Sequence, residues 1–230
     1  MESIADLPPR AREAAIVEEI TRGNVPNVLR MFAPIRVTVN GSECVYAVMP
    51  DYLSVGSDDD FVRLPMTPQS AAAIAGAFGC TMPTRKMVDD IYAQAGVKLE
   101  PQPLTERREA VETFVDHSRI IDAQRQGKPV RALLAGHKKD VVLSNRLKEK
   151  PNRVAIYGWH KPDGKPIQPL YVGHVDSYVD YSHGVRLVKR AVSVEGKERD
   201  IDEIFGDPAL HRLLSDEGVI ERGAATYQPH

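Results

Sequence analysis

Apolar periodicity changes character once along the chain, near residue 128, and that change limits the fold more than any other feature. Before it the recurrent pattern is helical. Pro8-Pro9 opens a segment over 10–22 with Ala14, Ile16, Val17 and Ile20 on one stripe, and Gly23-Asn24 ends it. Thr67-Pro68 starts a second helix that runs to Phe78. Thr84 caps a third over 85–95, with Met87, Val88, Ile91 and Tyr92 inward, and Thr105 caps a long one to about Gln126. After residue 128 the apolar runs shorten and become β-branched, at 130–135, 141–144, 154–157, 167–172 and 185–194, with turns at Pro162-Asp163-Gly164-Lys165 and Glu195-Gly196. Segregated elements predict an α+β fold, a helical N-terminal half packed on a mainly antiparallel sheet from the C-terminal half. The 230 residues suffice for one core, so a single domain over 1–230 is expected. Its parts are a mainly helical 1–127 with an Asn40-Gly41 hairpin near 34–49, a strand-rich 128–197 and a helical tail over 198–230.

Composition excludes some functions. Thirty basic against 32 acidic residues give a net charge of -2, and without a basic excess nucleic acid is not an expected partner. The short basic runs, His137-Lys138-Lys139 and 146–150, read as solvated faces, as does the acidic turn Asp58-Asp59-Asp60, which lacks the ligand spacing of a calcium loop. No apolar run approaches the roughly 18 residues of a membrane span. Two cysteines, Cys44 and Cys80, make no disulfide framework. Glu2 and Asp6 after Met1 do not read as a signal peptide, so the expectation is a cytoplasmic protein, or a secreted domain whose leader has been removed.

The chemistry concentrates in Gly173-His174-Val175-Asp176-Ser177-Tyr178-Val179-Asp180-Tyr181-Ser182-His183-Gly184. Two each of His, Asp, Ser and Tyr precede a β-branched run, more polarity than a core tolerates without partners, which reads as the rim of a site. His137, His160, His174 and His183 each fall at or near a strand end, where side chains scattered in sequence can converge. His117, amid charges on a helix, is expected to be exposed or half-buried.

Two hydrolytic chemistries use such a set. In the first, Pro83 places Cys80 just ahead of a helix, whose positive end would lower the thiol pKa; His183 or His137 would take its proton, and Asp180 would orient the ring. In this order of Cys and His the chain resembles papain-like folds, the NlpC/P60 cell-wall peptidases in particular, over roughly residues 78 to 190. Where that family has Asp-Cys-Ser-Gly, this chain has Gly79-Cys80-Thr81-Met82. Where its first His opens a strand as His-Val-Gly-Ile-Tyr, the chain has Gly136-His137-Lys138-Lys139-Asp140-Val141-Val142. The resemblance implies a thiol hydrolase of peptide or glycan-peptide substrates, such as those of peptidoglycan.

The second chemistry is a divalent metal on His174, Asp176, Asp180 and His183, although no specific zinc signature is present. No cofactor is favoured, and no glycine-rich loop suggests a nucleotide. Trp159, Tyr178, Tyr181, Ser182 and Arg186 are the expected substrate contacts, the aromatic ones as a wall for a sugar or peptide chain. A non-catalytic carbohydrate- or peptide-binding module, with Cys80 structural, is the alternative outside enzymes. In every case His183 is expected to face the functional cleft.

Overall fold

A computed structural model describes residues 2–129, 131–221, 223, 226 and 227. In chain order the elements are α1 (Glu2–Ala5), α2 (Pro9–Thr21), β1 (Ala33–Val39), β2 (Ser42–Val48), β3 (Ser54–Gly56), β4 (Phe61–Arg63), α3 (Pro68–Ala77), β5 (Cys80–Thr81), α4 (Arg85–Gln94), β6 (Val97–Lys98) and α5 (Val111–Arg125). They continue as β7 (Leu134–Ala135), β8 (Lys139–Val141), β9 (Ile156–His160), β10 (Pro166–Tyr171), β11 (His183–Gly184), β12 (Val188–Lys189), β13 (Ala191–Val194), β14 (Lys197–Asp200) and α6 (Ile201–Gly206). The fold is α+β and its two larger sheets are mainly antiparallel.

Local chemistry explains the elements that the sequence signals. Asn40 and Gly41 both take positive φ, 52° and 86°, the two-residue turn whose twist suits the β1–β2 hairpin, and Val39 pairs with Ser42. Inward positions alternate along it, burying Ile35 and Val37 on β1 and Cys44, Tyr46 and Val48 on β2. The side chains of Thr67 and Thr84 accept from Ser70 N and Met87 N, capping α3 and α4 as expected.

A six-stranded sheet runs β14-β13-β2-β12-β5, with β1 also on β2, so the N-terminal hairpin lies inside a sheet otherwise built mostly by the C-terminal half. The second sheet, β10-β9-β8-β11, carries the chemistry. Its one parallel pair is β8 with β11, where His183 faces Lys139 and Gly184 faces Asp140.

Three expectations change. The strand over 130–135 shrinks to β7, parallel to β6, while Val130 lies outside the described residues, as does part of the tail. The 208–214 segment holds only a short 3-10 turn, His211–Leu213. The long helix begins at Val111 rather than after Thr105. Tertiary hydrogen bonds hold the intervening segment open: Tyr181 Oη accepts from Leu104 N at 2.6 Å and donates to Leu104 O at 2.9 Å, and Tyr181 N donates to Arg108 O at 3.0 Å. That tie lays residues 104–110 against the stretch richest in His and Tyr.

Candidate functional site

Strand β8 lies between β9 and β11 and is covered on both faces, so every side chain it carries is inside. Lys139 and Asp140 are therefore buried, as are His137 and Lys138 just before the strand, and the run is not the solvated face that its charge suggests. Buried charge requires partners, and these come from four parts of the chain.

One group is tied up with itself. Arg63 donates from Nε and Nη2 to Asp51 Oδ2 at 3.0 and 2.8 Å, and from Nη1 to Asp122 Oδ1 at 2.8 Å and to Ser118 Oγ at 3.2 Å. His137 Nε2 lies 2.9 Å from the other Asp51 oxygen. Burial lowers His137 to about 4, against the opposing pull of Asp51. Beside this group Tyr52 Oη donates to Asp140 Oδ2 at 2.7 Å, and the Arg186 guanidinium lies 4.2 Å from the Tyr52 ring centroid. Arg186, expected to contact substrate, instead ties the carbonyls of Met49 and Leu134 together at 2.9 and 2.8 Å. His137, expected as a possible base, meets Asp51 through Nε2, and its Nδ1 is buried without a partner among the described residues.

A second group surrounds Asp180. Its Oδ1 accepts from Ser182 N at 2.8 Å and Ser182 Oγ at 2.5 Å, and its Oδ2 from Arg108 Nη2 at 2.7 Å and Tyr178 Oη at 3.0 Å. Burial would raise this carboxyl, but His183, the Ser182 donors and Arg108 hold it well below the usual carboxylate range. Ser182 is fully buried with its proton directed at Asp180, which leaves no imidazole to activate it as a nucleophile.

His183 is the exceptional member. It is 1% exposed, and neither ring nitrogen has a hydrogen-bond partner among the described residues. Burial lowers it to about 4 against the attraction of Asp180, with Lys139 and His174 adding to the lowering. Asp180 does not orient the ring through a hydrogen bond, as the sequence suggested; its four acceptances are taken, and it acts on His183 as a nearby charge. The His174 ring stacks on Tyr178 at 4.4 Å, and Tyr178 meets His183 edge-on at 5.8 Å, so the two form a cover over it.

Trp159, Phe114 and Tyr181 pack together in a buried aromatic cluster, the indole and phenol rings 6.4 Å apart. Lys139 Nζ lies 5.0 Å from the Trp159 centroid. Lys138 points elsewhere, to Tyr181 O at 2.5 Å and to His117 Nδ1 at 3.4 Å; burial lowers it to about 7, with Arg63 adding to the effect. His117, expected near the surface, is completely buried, and burial with Lys138 lowers it to about 2.

The structure thus brings together His174, His183, Asp180, Ser182, Tyr178, Tyr181 and Trp159 and adds Arg108, Lys138, Lys139 and His117. It leaves out Cys80 and Asp176. Cys80 is in β5, opposite Lys189 in the other sheet, not at the start of α4. Its thiol donates to Phe78 O at 3.3 Å, and burial raises it to about 11, partly offset by Lys189, the reverse of an activated cysteine. Iodoacetamide labelling of Cys80 is expected to stay slow at neutral pH and to accelerate only above about 9. Rapid labelling at pH 7 would restore it as a candidate nucleophile.

Asp176 accepts from Gln69 Nε2 at 2.6 Å and Asp180 accepts from four donors; no group of three or more His, Cys, Asp or Glu suited to a metal occurs among the described residues. Comparison of the chain with known protein families, with curated proteins and with solved structures finds no match.

Proposed function

We propose that the chain is a hydrolase of amide or ester bonds in which His183 is the general base. The observation that carries this reading is the buried His183 ring with both nitrogens unpartnered. His117, His137 and His211 each leave one ring nitrogen unpartnered, but His183 alone among the described residues leaves both, and an unpaired buried polar group costs about 1–3 kcal/mol. A ring left open at such a cost, beside an ionised carboxylate, suits proton transfer to a molecule that enters the site.

The depressed basicity keeps His183 neutral at pH 7, the form that accepts a proton. It would take that proton from water as the water oxygen bonds to the scissile carbonyl carbon. The imidazolium formed would be stabilised by the Asp180 charge and would return the proton to the leaving amine or alcohol. Substrate would reach the ring when the Tyr178–His174 cover swings away, past Arg108, whose side chain is 40% exposed. Peptides, including those of cell walls, are the favoured substrates, against which the half-buried rings of Tyr178 and His174 could stack.

The test is His183→Ala assayed on activated esters and on peptide amides, with melting measured on the same sample. Turnover per folded molecule is expected to fall by roughly 10²–10⁴-fold, and melting of the same sample reads separately the cost of the space that the buried ring leaves. Unchanged turnover per folded molecule would end the role of His183. A wild-type chain that binds peptide but turns over none of the panel would favour a binding module instead.

A further inference from the structure

The unsatisfied groups around Asp180 share one property: apart from the second nitrogen of His183, each is a donor. Lys139 Nζ lies over the face of Trp159, feels the charge of Asp180 and makes no ion pair or hydrogen bond with a described residue. Trp159 Nε1 and Arg108 Nε are buried without partners among the described residues. A neutral His183 adds one more ring N–H. Ammonium, indole and guanidinium nitrogens can only donate, so a molecule that satisfied them would present acceptors alone.

Charge points the same way. Asp180 is the carboxylate that acts on Lys139, His174 and His183, and it already serves Arg108. Arg108, Lys139 and, near its own titration, Lys138 put more positive charge around Asp180 than that carboxylate cancels, and the two lysines are buried, where charge is costly unless paired. Lys139 pairs with His183 across the parallel ladder and with Gly158 on its other side. The next residue, Trp159, takes a φ of 57°, which breaks the regular alternation of the strand, and its ring lies under the ammonium at 5.0 Å.

We propose that this face is a carboxylate-binding subsite, in which Lys139 and Trp159 receive a free carboxylate of the substrate. The assignment rests on the hydrolase reading for the bound molecule's being a substrate, and it narrows the class to peptides or esters with a carboxylate close to the scissile bond. A carboxylate supplies up to four acceptor sites, enough for the ammonium, the indole N–H and a third donor, and it cancels the surplus charge. That carboxylate comes from a chain terminus or from an acidic side chain.

Trp159 is the single tryptophan of the chain, so its emission reports this subsite directly. Binding would give the indole N–H an acceptor and move the ammonium off the ring, and both changes alter emission. N-acetyl-Ala-Ala offers a terminal carboxylate and N-acetyl-Glu-amide a side-chain one; N-acetyl-Ala-Ala-amide is the neutral control and inorganic phosphate the other oxyanion.

A saturable change with at least one of the two acids at up to about 10 mM, and none with the neutral amide, is expected. The acid that gives the change identifies the source. Lys139→Met should weaken the acid's apparent Kd by at least about tenfold. Equal responses to acid and neutral amide, a response to phosphate alone, or no response to either acid would overturn the subsite. The acid-against-amide comparison is made on the unaltered chain, so it decides the matter even if Lys139→Met fails to fold. Binding is read without turnover. A chain that binds the acids but cleaves nothing refutes the hydrolase and leaves the subsite standing, whereas equal cleavage of acidic and neutral substrates refutes the subsite alone.

Discussion

Asp51→Ala is expected to lower stability by about 3–5 kcal/mol, enough to leave much of the chain unfolded at 37 °C. Asp51 accepts from both the Nε and Nη2 of Arg63 and lies 2.9 Å from His137 Nε2. Arg63 is completely buried and remains charged: burial acts against the cation, but Asp51 and then Asp122 outweigh it. Without Asp51 the guanidinium would keep only Asp122, 43% exposed, and the hydroxyl of Ser118. An uncompensated buried cation and an orphaned imidazole would remain together. Asp122→Ala removes the outer partner, which water can replace, and should cost below about 1 kcal/mol. Urea denaturation of the two variants checks the contrast. Equal small losses would mean that water reaches Arg63 and that the network is dispensable.

That network shows how far the sequence could be read. The hairpin at Asn40-Gly41, the caps at Thr67 and Thr84 and the α+β class depend on local turn chemistry and periodicity, which a single stretch of residues displays. The polar run from Gly173 to Gly184 was also legible, because eight polar residues out of twelve cannot be ordinary core. His137-Lys138-Lys139-Asp140 was not. Charged residues in sequence are usually solvated, and the exception arises only because β9 and β11 flank β8, a fact of topology. Arg63 and Asp51 sit twelve residues apart on either side of an acidic turn, and His137 joins them from 86 residues away.

Cys80 failed for a related reason. The Thr84 cap was correctly placed, but four residues separate the thiol from it, and strand pairing with Lys189 claimed that short segment before the helix could. Arg108 and Lys139 entered the site through contacts that span more than 40 residues, which no local pattern signals.

The buried histidines make the second large prediction, a loss of stability on the order of 6 kcal/mol between pH 6.5 and 4. Burial holds His137 and His183 down at about 4 and His117 at about 2, whereas in the unfolded chain each titrates near 6.5. As pH falls through that interval the unfolded chain takes up protons that the folded one refuses, so stability falls with pH. Each ring contributes about 3 kcal/mol by pH 4. Asp140 works the other way. Burial raises it to about 6, so the folded chain gains a proton there first, returning about 3 kcal/mol over nearly the same range. Below pH 4 Asp51 and Asp180, both held under the usual carboxylate range, extend the loss. Lys138 contributes no slope below its value of about 7, where it is charged in both states; its cost is relieved only as pH rises above 7. Stability should therefore climb from acid through neutral into mildly alkaline solution. Melting at pH 7.5 and pH 4.5 measures the main fall, and His183→Leu, which removes one ring's share of about 3 kcal/mol from the net of about 6 kcal/mol, should flatten it by roughly half. A melting temperature that stays level between those two values would mean that the histidines are not held neutral. The unpartnered His183 ring would then titrate as it does in the unfolded chain, near 6.5, and burial beside Asp180 would not be what sets its basicity.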